Sequence, residues 1–238
     1  MLSDQERYVE LLRQNGATIE GKAVLDVGSG SGEFVRHAQQ IGAKESWGVE
    51  HNKRILDGSL HQFGMSAVNR DHLLHMPFSE IPEKRPDLKG KFDVIKITAI
   101  TPYANANELK RMAHTAHFLL KKDGHILLEL PWMNLMNDAF RADQSAEENT
   151  GIIERYARLT KPSKARKEIE LLQTAYKTLF SAYFDTAVEV TSIGKVKALV
   201  ISNPKEIIPD INTIRFDDRM LRLSPIPGVR PSGAAQAQ

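Results

Sequence analysis

Val24-Leu25-Asp26-Val27-Gly28-Ser29-Gly30-Ser31-Gly32-Glu33-Phe34-Val35 is the stretch around which the rest of the chain is placed. It opens in an apolar run, Ala23 to Val27, bounded by Gly21 and Gly28, and this pattern predicts a buried parallel strand. It closes on Phe34, Val35 and Ala38, whose spacing predicts an amphipathic helix. Between the two, three glycines alternate with two serines. Such a turn lets a ligand come close to the backbone, because no Cβ intervenes and positive φ is accessible. It also aims the first N–H groups of the helix at that ligand.

Two kinds of site use a strand, a glycine turn and a helix. A dinucleotide site takes G-x-G-x-x-G, with its third glycine where helix and strand pack closely. Here that third position is Glu33, and the glycines run G-x-G-x-G behind an acid, Asp26. An acid ahead of the loop repels a pyrophosphate and suits a ligand that carries an ammonium group. Asp26-Val27-Gly28-Ser29-Gly30-Ser31-Gly32 resembles the nucleotide loop of the class I S-adenosylmethionine-dependent methyltransferases. The resemblance implies Asp26, Gly28, Ser29 and Gly30 as cofactor contacts. On the loop alone, other Rossmann-like proteins and a plain structural turn stay open.

Composition narrows the field. A chain of 238 residues can bury one good core and still carry an insertion, so one domain is expected over 1–224. The tail from 225 to 238 is rich in Pro, Gly, Ala and Gln and is expected to be disordered. Nothing approaches the apolar length of a membrane span, and the N-terminus lacks the basic start and apolar core of a signal peptide. There is no cysteine, which excludes disulfides, thiolate metal sites and a cysteine nucleophile. A formal net charge of +2 is too weak to imply nucleic acid by itself. The expectation is a soluble, cytoplasmic, metal-independent protein; the eight histidines show no convincing ligand spacing.

Along the chain, Ser3-x-x-Glu6 ahead of Tyr8, Val9, Leu11 and Leu12 predicts a capped amphipathic helix over 3–15. It covers either the ligand cleft, as the resemblance implies, or merely the sheet. After the glycine loop a helix runs to about Gln40, followed by a strand, Glu45-Ser-Trp47-Gly48-Val49-Glu50. One helix and one crossover separate these strands, so they lie parallel and side by side. Glu50 then stands at the carboxyl end of the second strand, where an acid can take both hydroxyls of a ribose. Trp47-Gly48-Val49-Glu50 resembles the same position in the family, and His51 is placed either against the adenine or in solvent.

A helix is expected over 52–63 with Ile55 and Leu56 inward, and a third strand at Met65 to Val68. Asp71 followed by Met76-Pro77-Phe78 resembles the family's arrangement after that strand. It implies Asp71 as acceptor for the adenine amino group and the His72 N–H as donor to the ring. Residues 79–91, with Pro82 and Pro86, read as a surface loop. Phe92-Asp93-Val94-Ile95-Lys96-Ile97-Thr98 is the fourth strand, with Thr98 at the cofactor's mouth.

Thr101-Pro102-Tyr103 partly resembles the Asp/Asn/Ser-Pro-Pro-Tyr/Phe grip of amino methyltransferases that act on nucleobases. Its first residue and second proline differ, so Pro102 ending the strand and Tyr103 packing is an equal reading. Thr101 and Tyr103 are the candidate catalytic residues, with Trp132 as a wall. Glu108 to Leu120 reads as a helix, His125 to Leu130 as a strand, and 131–160 as a helical insertion placed as a lid over the acceptor pocket. A long helix from Pro162 to Phe184 and paired strands Thr186 to Ser192 and Lys195 to Ser202 follow. Ile207 to Leu223 reads as a strand and a short helix.

The expected fold is α/β: a seven-stranded, mostly parallel, doubly wound sheet with an antiparallel edge hairpin. The expected activity is methyl transfer from S-adenosyl-L-methionine, with a small-molecule acceptor favoured. An RNA or protein lysine methyltransferase is the first alternative, since Trp47-Gly48-Val49-Glu50 also resembles the non-SET histone lysine enzymes. The basic run Lys161, Lys164, Arg166 and Lys167 fits that reading or a solvated helix face. A non-catalytic cofactor-binding subunit is the second alternative.

Overall fold

A strand covered on both faces reads as an unbroken apolar run, and every residue of Ala23–Val27 is buried. The computed structural model of the protein describes residues 3–62, 70–98, 106–130, 162–191, 197–210 and 214. In it this strand, β1, lies inside one sheet of seven. The others are β2 (Glu45–Glu50), β3 (Leu73–His75), β4 (Phe92–Ile97), β5 (Leu120–Glu129), β6 (Phe184–Thr191) and β7 (Lys197–Pro204). Their spatial order is β3-β2-β1-β4-β5-β7-β6. The first five are parallel, while β7 runs antiparallel to both β5 and β6. This is the seven-stranded α/β sheet with an antiparallel edge that the sequence implied.

Helices α1 (Asp4–Gln14), α2 (Glu33–Gln40), α3 (Lys53–Gln62), the single turn α4 (Ile81–Lys84), α5 (Ala106–Leu119) and α6 (Pro162–Tyr183) accompany the sheet. The capping box of α1 is formed: Ser3 Oγ accepts from Glu6 N, and Glu6 Oε2 accepts from Ser3 N at 2.6 Å. Alternation along the strands divides the core in two. Leu25, Val27, Ile95, Ile97, Ile126, Leu128, Leu199 and Ile201 pack against Met112, Ala116, Leu119, Tyr176 and Phe180 of α5 and α6. Val24, Val94, Leu127, Ala198 and Val200 pack instead under Leu11, Leu12, Phe34 and Ala38 of α1 and α2. By the same alternation Asp26, Lys96 and Glu129 stand on the α1/α2 side.

Several expectations need correction. The third strand is Leu73–His75, and Met65 to Val68 lie outside the described residues. Residues 79–91 are no plain surface loop: 3-10 turns at Phe78–Glu80 and Pro86–Leu88 flank α4, and bury Ile81 and Leu88 completely. Two apolar anchors thus sit among the charges and prolines that suggested solvent. Ile55 is exposed rather than inward, whereas Leu56 is buried. The fifth strand begins at Leu120, because a register shift against β4 between Phe92 and Val94 absorbs the expected turn. Residues 205–210 form neither helix nor strand, and Ile207 is largely exposed. The 131–160 insertion, the Ile193-Gly194 junction and the tail fall outside the described residues.

Candidate functional site

The carboxyl ends of β1, β2 and β4 meet at the glycine turn. Gly28, Gly30 and Gly32 have φ of +73°, +52° and +74°, a region other residues enter only with strain. Gly32 is the N-cap of α2 and offers no side chain to its first turn. The turn is tied to the second strand, since Gly28 N and Ser29 N both donate to Val49 O, at 2.9 and 3.1 Å. It comes so close to β2 that a Cβ on Gly48 would lie 2.8 Å from Ser29 Oγ and 3.1 Å from Leu73 Cδ2. Ser29 Oγ itself is buried without a hydrogen-bond partner among the described residues.

Glu50 closes the second side. Its buried carboxylate accepts from Gly30 N through Oε2 at 3.2 Å and from Asn52 N through Oε1 at 2.8 Å. The exposed His51 ring stands beside it, Nδ1 3.3 Å from Oε1. Asn52 Oδ1 in turn accepts from Arg54 N and Ile55 N, which starts α3 and turns the chain immediately after the acid. A carboxylate has about four lone-pair sites, so Glu50 retains capacity for a further donor. His75 lies opposite Glu50 in the β2–β3 register, and its Nε2 is 3.1 Å from His51 O.

Asp26 and Lys96 are register partners on β1 and β4, with Lys96 Nζ donating to Asp26 Oδ1 at 2.9 Å and both side chains buried. Burial pushes the Asp26 carboxyl up, and the Lys96 ammonium opposes that rise. The same ammonium lies 5.0 Å from the Tyr8 ring centroid and 4.8 Å from that of Phe34. Burial, and then the negative charge of Glu129, hold the Tyr8 hydroxyl protonated far above its ordinary range. The Tyr8 and Thr98 side chains face each other, which brings α1 to the end of β4.

Of the residues the sequence singled out, the structure brings Asp26, Gly28, Ser29, Gly30, Glu50, His51 and Thr98 to this one end of the sheet. Asp71 and His72 are not brought there. They form a 3-10 turn at the entry of β3, and Leu73 pairs with Gly48, two residues short of Glu50. Asp71 is exposed, and the His72 ring is stacked on Trp47 at 4.0 Å, where burial lowers its pKa. The adenine roles implied for this pair are therefore not supported, because three further residues carry the strand on before it reaches the cleft. His75 stands where Asp71 was expected. Thr101, Tyr103 and Trp132 lie outside the described residues.

Sequence reasoning missed Lys96 and His75, and treated Tyr8 only as part of an apolar face. A signal for Lys96 was present, since a lysine inside Val94-Ile95-Lys96-Ile97 needs a buried acid. Among the described residues no group of three His, Cys, Asp or Glu side chains could hold a metal ion, and no helix is long and apolar enough to cross a membrane.

Comparison with known proteins agrees with this geometry. No curated protein sequence matches the chain. PH0226 protein from Pyrococcus horikoshii OT3 superposes with a TM-score of 0.58 at 17% identity, covering 84% of this chain and 89% of that one. A structure from Rhodobacter sphaeroides, named for Zn-dependent alcohol dehydrogenases, gives 0.55 at 13% identity over 84% and 89%. A type 11 methyltransferase structure from Sulfolobus solfataricus gives 0.51 at 13% identity over 87% and 96%. At such identities these likenesses show the fold alone. The sequence pattern of the methyltransferase domain, however, matches residues 3–166, well over half of the chain. With the acid-led glycine turn and the seven-stranded sheet, it makes the chain a member of the class I S-adenosylmethionine-dependent methyltransferase family.

Proposed function

We propose that this methyltransferase acts on a small-molecule acceptor, with the cofactor held by the glycine turn and Glu50. The observation that carries the cofactor site is the Glu50 carboxylate, buried at the end of β2 and bonded to Gly30 N across the turn. The turn fits the cofactor: positive φ at three glycines clears its surface, and Ser29 Oγ is buried there without a partner among the described residues. Glu50 would take the ribose hydroxyls, and Gly28, Ser29 and Gly30 would border the nucleoside. Asp26 would face the ammonium of the amino-acid end. When bound, S-adenosylmethionine supplies a methyl group on a sulfonium, ready for displacement by a nucleophile.

The chain's own contribution is then positioning and exclusion of water, which can supply about 7–11 kcal/mol of a barrier through geometry alone. Helix α1 supports the small acceptor. Its Tyr8 ring lies over Lys96 and faces Thr98, so α1 roofs the end of β4 on that side. A roofed mouth admits a compact molecule more readily than a duplex or a folded protein surface.

Two measurements test this reading. Titration calorimetry should show binding of S-adenosylmethionine and S-adenosylhomocysteine and none of NAD. Incubation of the protein with cell extract and radiolabelled S-adenosylmethionine should then place the label in the small-molecule filtrate. Label confined to RNA or to protein would refute the acceptor class, and NAD binding in place of the methyl donor would refute the site.

A further inference from the structure

We infer that Lys96 is a specificity residue for the methyl donor: its ammonium binds the carboxylate of the donor's amino-acid end while Asp26 binds the adjacent ammonium, so that the pair reads a zwitterion. The inference rests on the cofactor reading above. Asp26 is the last residue but one of β1, and only Val27 separates it from the turn that borders the nucleoside. Register pairing sets Lys96 beside it on β4, with Nζ 2.9 Å from Oδ1.

Among the described residues this is the one hydrogen bond that the Lys96 ammonium makes. An ammonium has three N–H donors. Its other neighbours are the ring faces of Tyr8 and Phe34, which attract positive charge but accept no conventional hydrogen bond. The buried ammonium is thus held in place electrostatically while its hydrogen-bonding capacity is left underused. A carboxylate is the group that fills that capacity best.

A purely structural role explains the pair less well. Apolar residues of similar volume commonly replace a buried ion pair with no loss of stability, because desolvation of the two charges offsets their attraction. Val24 and Val94, one turn of the pleat earlier on the same face, show the apolar solution in this very sheet. The charged pair is found only one step further, where β1 and β4 reach the cleft. Its cover is light. Tyr8 is half-buried and is carried by α1.

The test uses the full chain and three nucleosides that differ only in the amino-acid end. S-Adenosylhomocysteine carries both charges, its decarboxylated analogue carries the amine alone, and 5′-methylthioadenosine carries neither. The wild-type protein is expected to bind S-adenosylhomocysteine about tenfold or more tighter than the decarboxylated analogue. Lys96→Met is expected to erase that difference and to leave the affinity for 5′-methylthioadenosine unchanged. The Asp26→Asn/Lys96→Met double variant leaves no unpaired buried charge, and the same loss is expected in it. It stands in for the single variant if that one does not fold.

If Lys96→Met still prefers S-adenosylhomocysteine over the analogue, or binds it more tightly than the wild type does, the lysine only shields Asp26 and the inference is overturned. In that case the cofactor site stands, because all three nucleosides still bind. If the wild type binds none of them, the inference and the cofactor reading fall together.

Discussion

Glu50 carries more of the site than any other side chain, because its two oxygens hold two different parts of the chain. Oε2 takes Gly30 N from the turn after β1, and Oε1 takes Asn52 N from the start of α3. The acid thereby fixes the turn against the start of α3 before any ligand arrives, and under the function proposed above the ordering cost of binding falls accordingly. Glu50→Ala is expected to weaken S-adenosylhomocysteine about tenfold or more, since each charge-assisted bond is worth about 1.5–3 kcal/mol. Calorimetry on the folded variant checks this, and an unchanged affinity would move the ribose elsewhere. His51 makes a smaller contribution, because its ring is exposed and touches Glu50 only at 3.3 Å.

At the scale of elements, the decisive contact is the glycine turn pressed on β2. Gly48→Ala would set a Cβ 2.8 Å from Ser29 Oγ and 2.9 Å from Ser29 Cβ, and Ser29 is anchored through its own N–H to Val49 O. The turn must shift, so a loss of about 1–3 kcal/mol is expected, measured by urea unfolding, together with weaker S-adenosylhomocysteine binding. Equal stability and equal affinity would show that the turn has slack. Legibility in the sequence followed the same elements. Strands β1 and β2 could be read to the residue, because buried parallel strands are continuous runs bounded by Gly21, Gly28 and the acid Glu50. Strand β3 could not. With three residues it is shorter than any periodicity, and the spacing of Asp71 from Pro77 suggested a strand end where the chain only begins one. The Asp26–Lys96 pair was half legible: Asp26 stood out ahead of the glycines, but Lys96 was missed, because their contact depends on the β1–β4 register, which spacing alone does not specify.

For the whole molecule, three half-buried histidines contribute to the response to acid. His72, His114 and His125 are each lowered from 6.5, in every case chiefly by burial. Below 6.5 the unfolded chain therefore binds more protons than the folded one, and stability declines as the pH falls from 6.5 through the folded values. Above 6.5 their contribution is complete. Asp26 works in the opposite sense, because burial raises it from 3.8. Comparison of the wild type with His114→Asn and His125→Asn cancels that term. Urea midpoints between about pH 5 and 7 are expected to slope less in each variant. Parallel slopes in all three proteins would show that burial does not perturb these histidines.

The order of strands across the sheet also has a consequence for biosynthesis. Strand β7 is the last of the described strands to leave the ribosome, yet it lies between β5 and β6, bonded on both sides. Until it emerges, β6 has no neighbour to join, and β5 presents Ile126 and Leu128 beside an open edge. Strands β1 to β4, by contrast, are complete by Ile97, so the end of the sheet that carries the glycine turn can assemble while synthesis continues. The half of the sheet that carries the glycine turn is thus made before the strand that closes the other half. A nascent chain arrested after residue 196 is expected to aggregate on release, and an added peptide spanning 197–204 should partly rescue it. Light scattering of the released chains would show whether that closing strand seals the molecule.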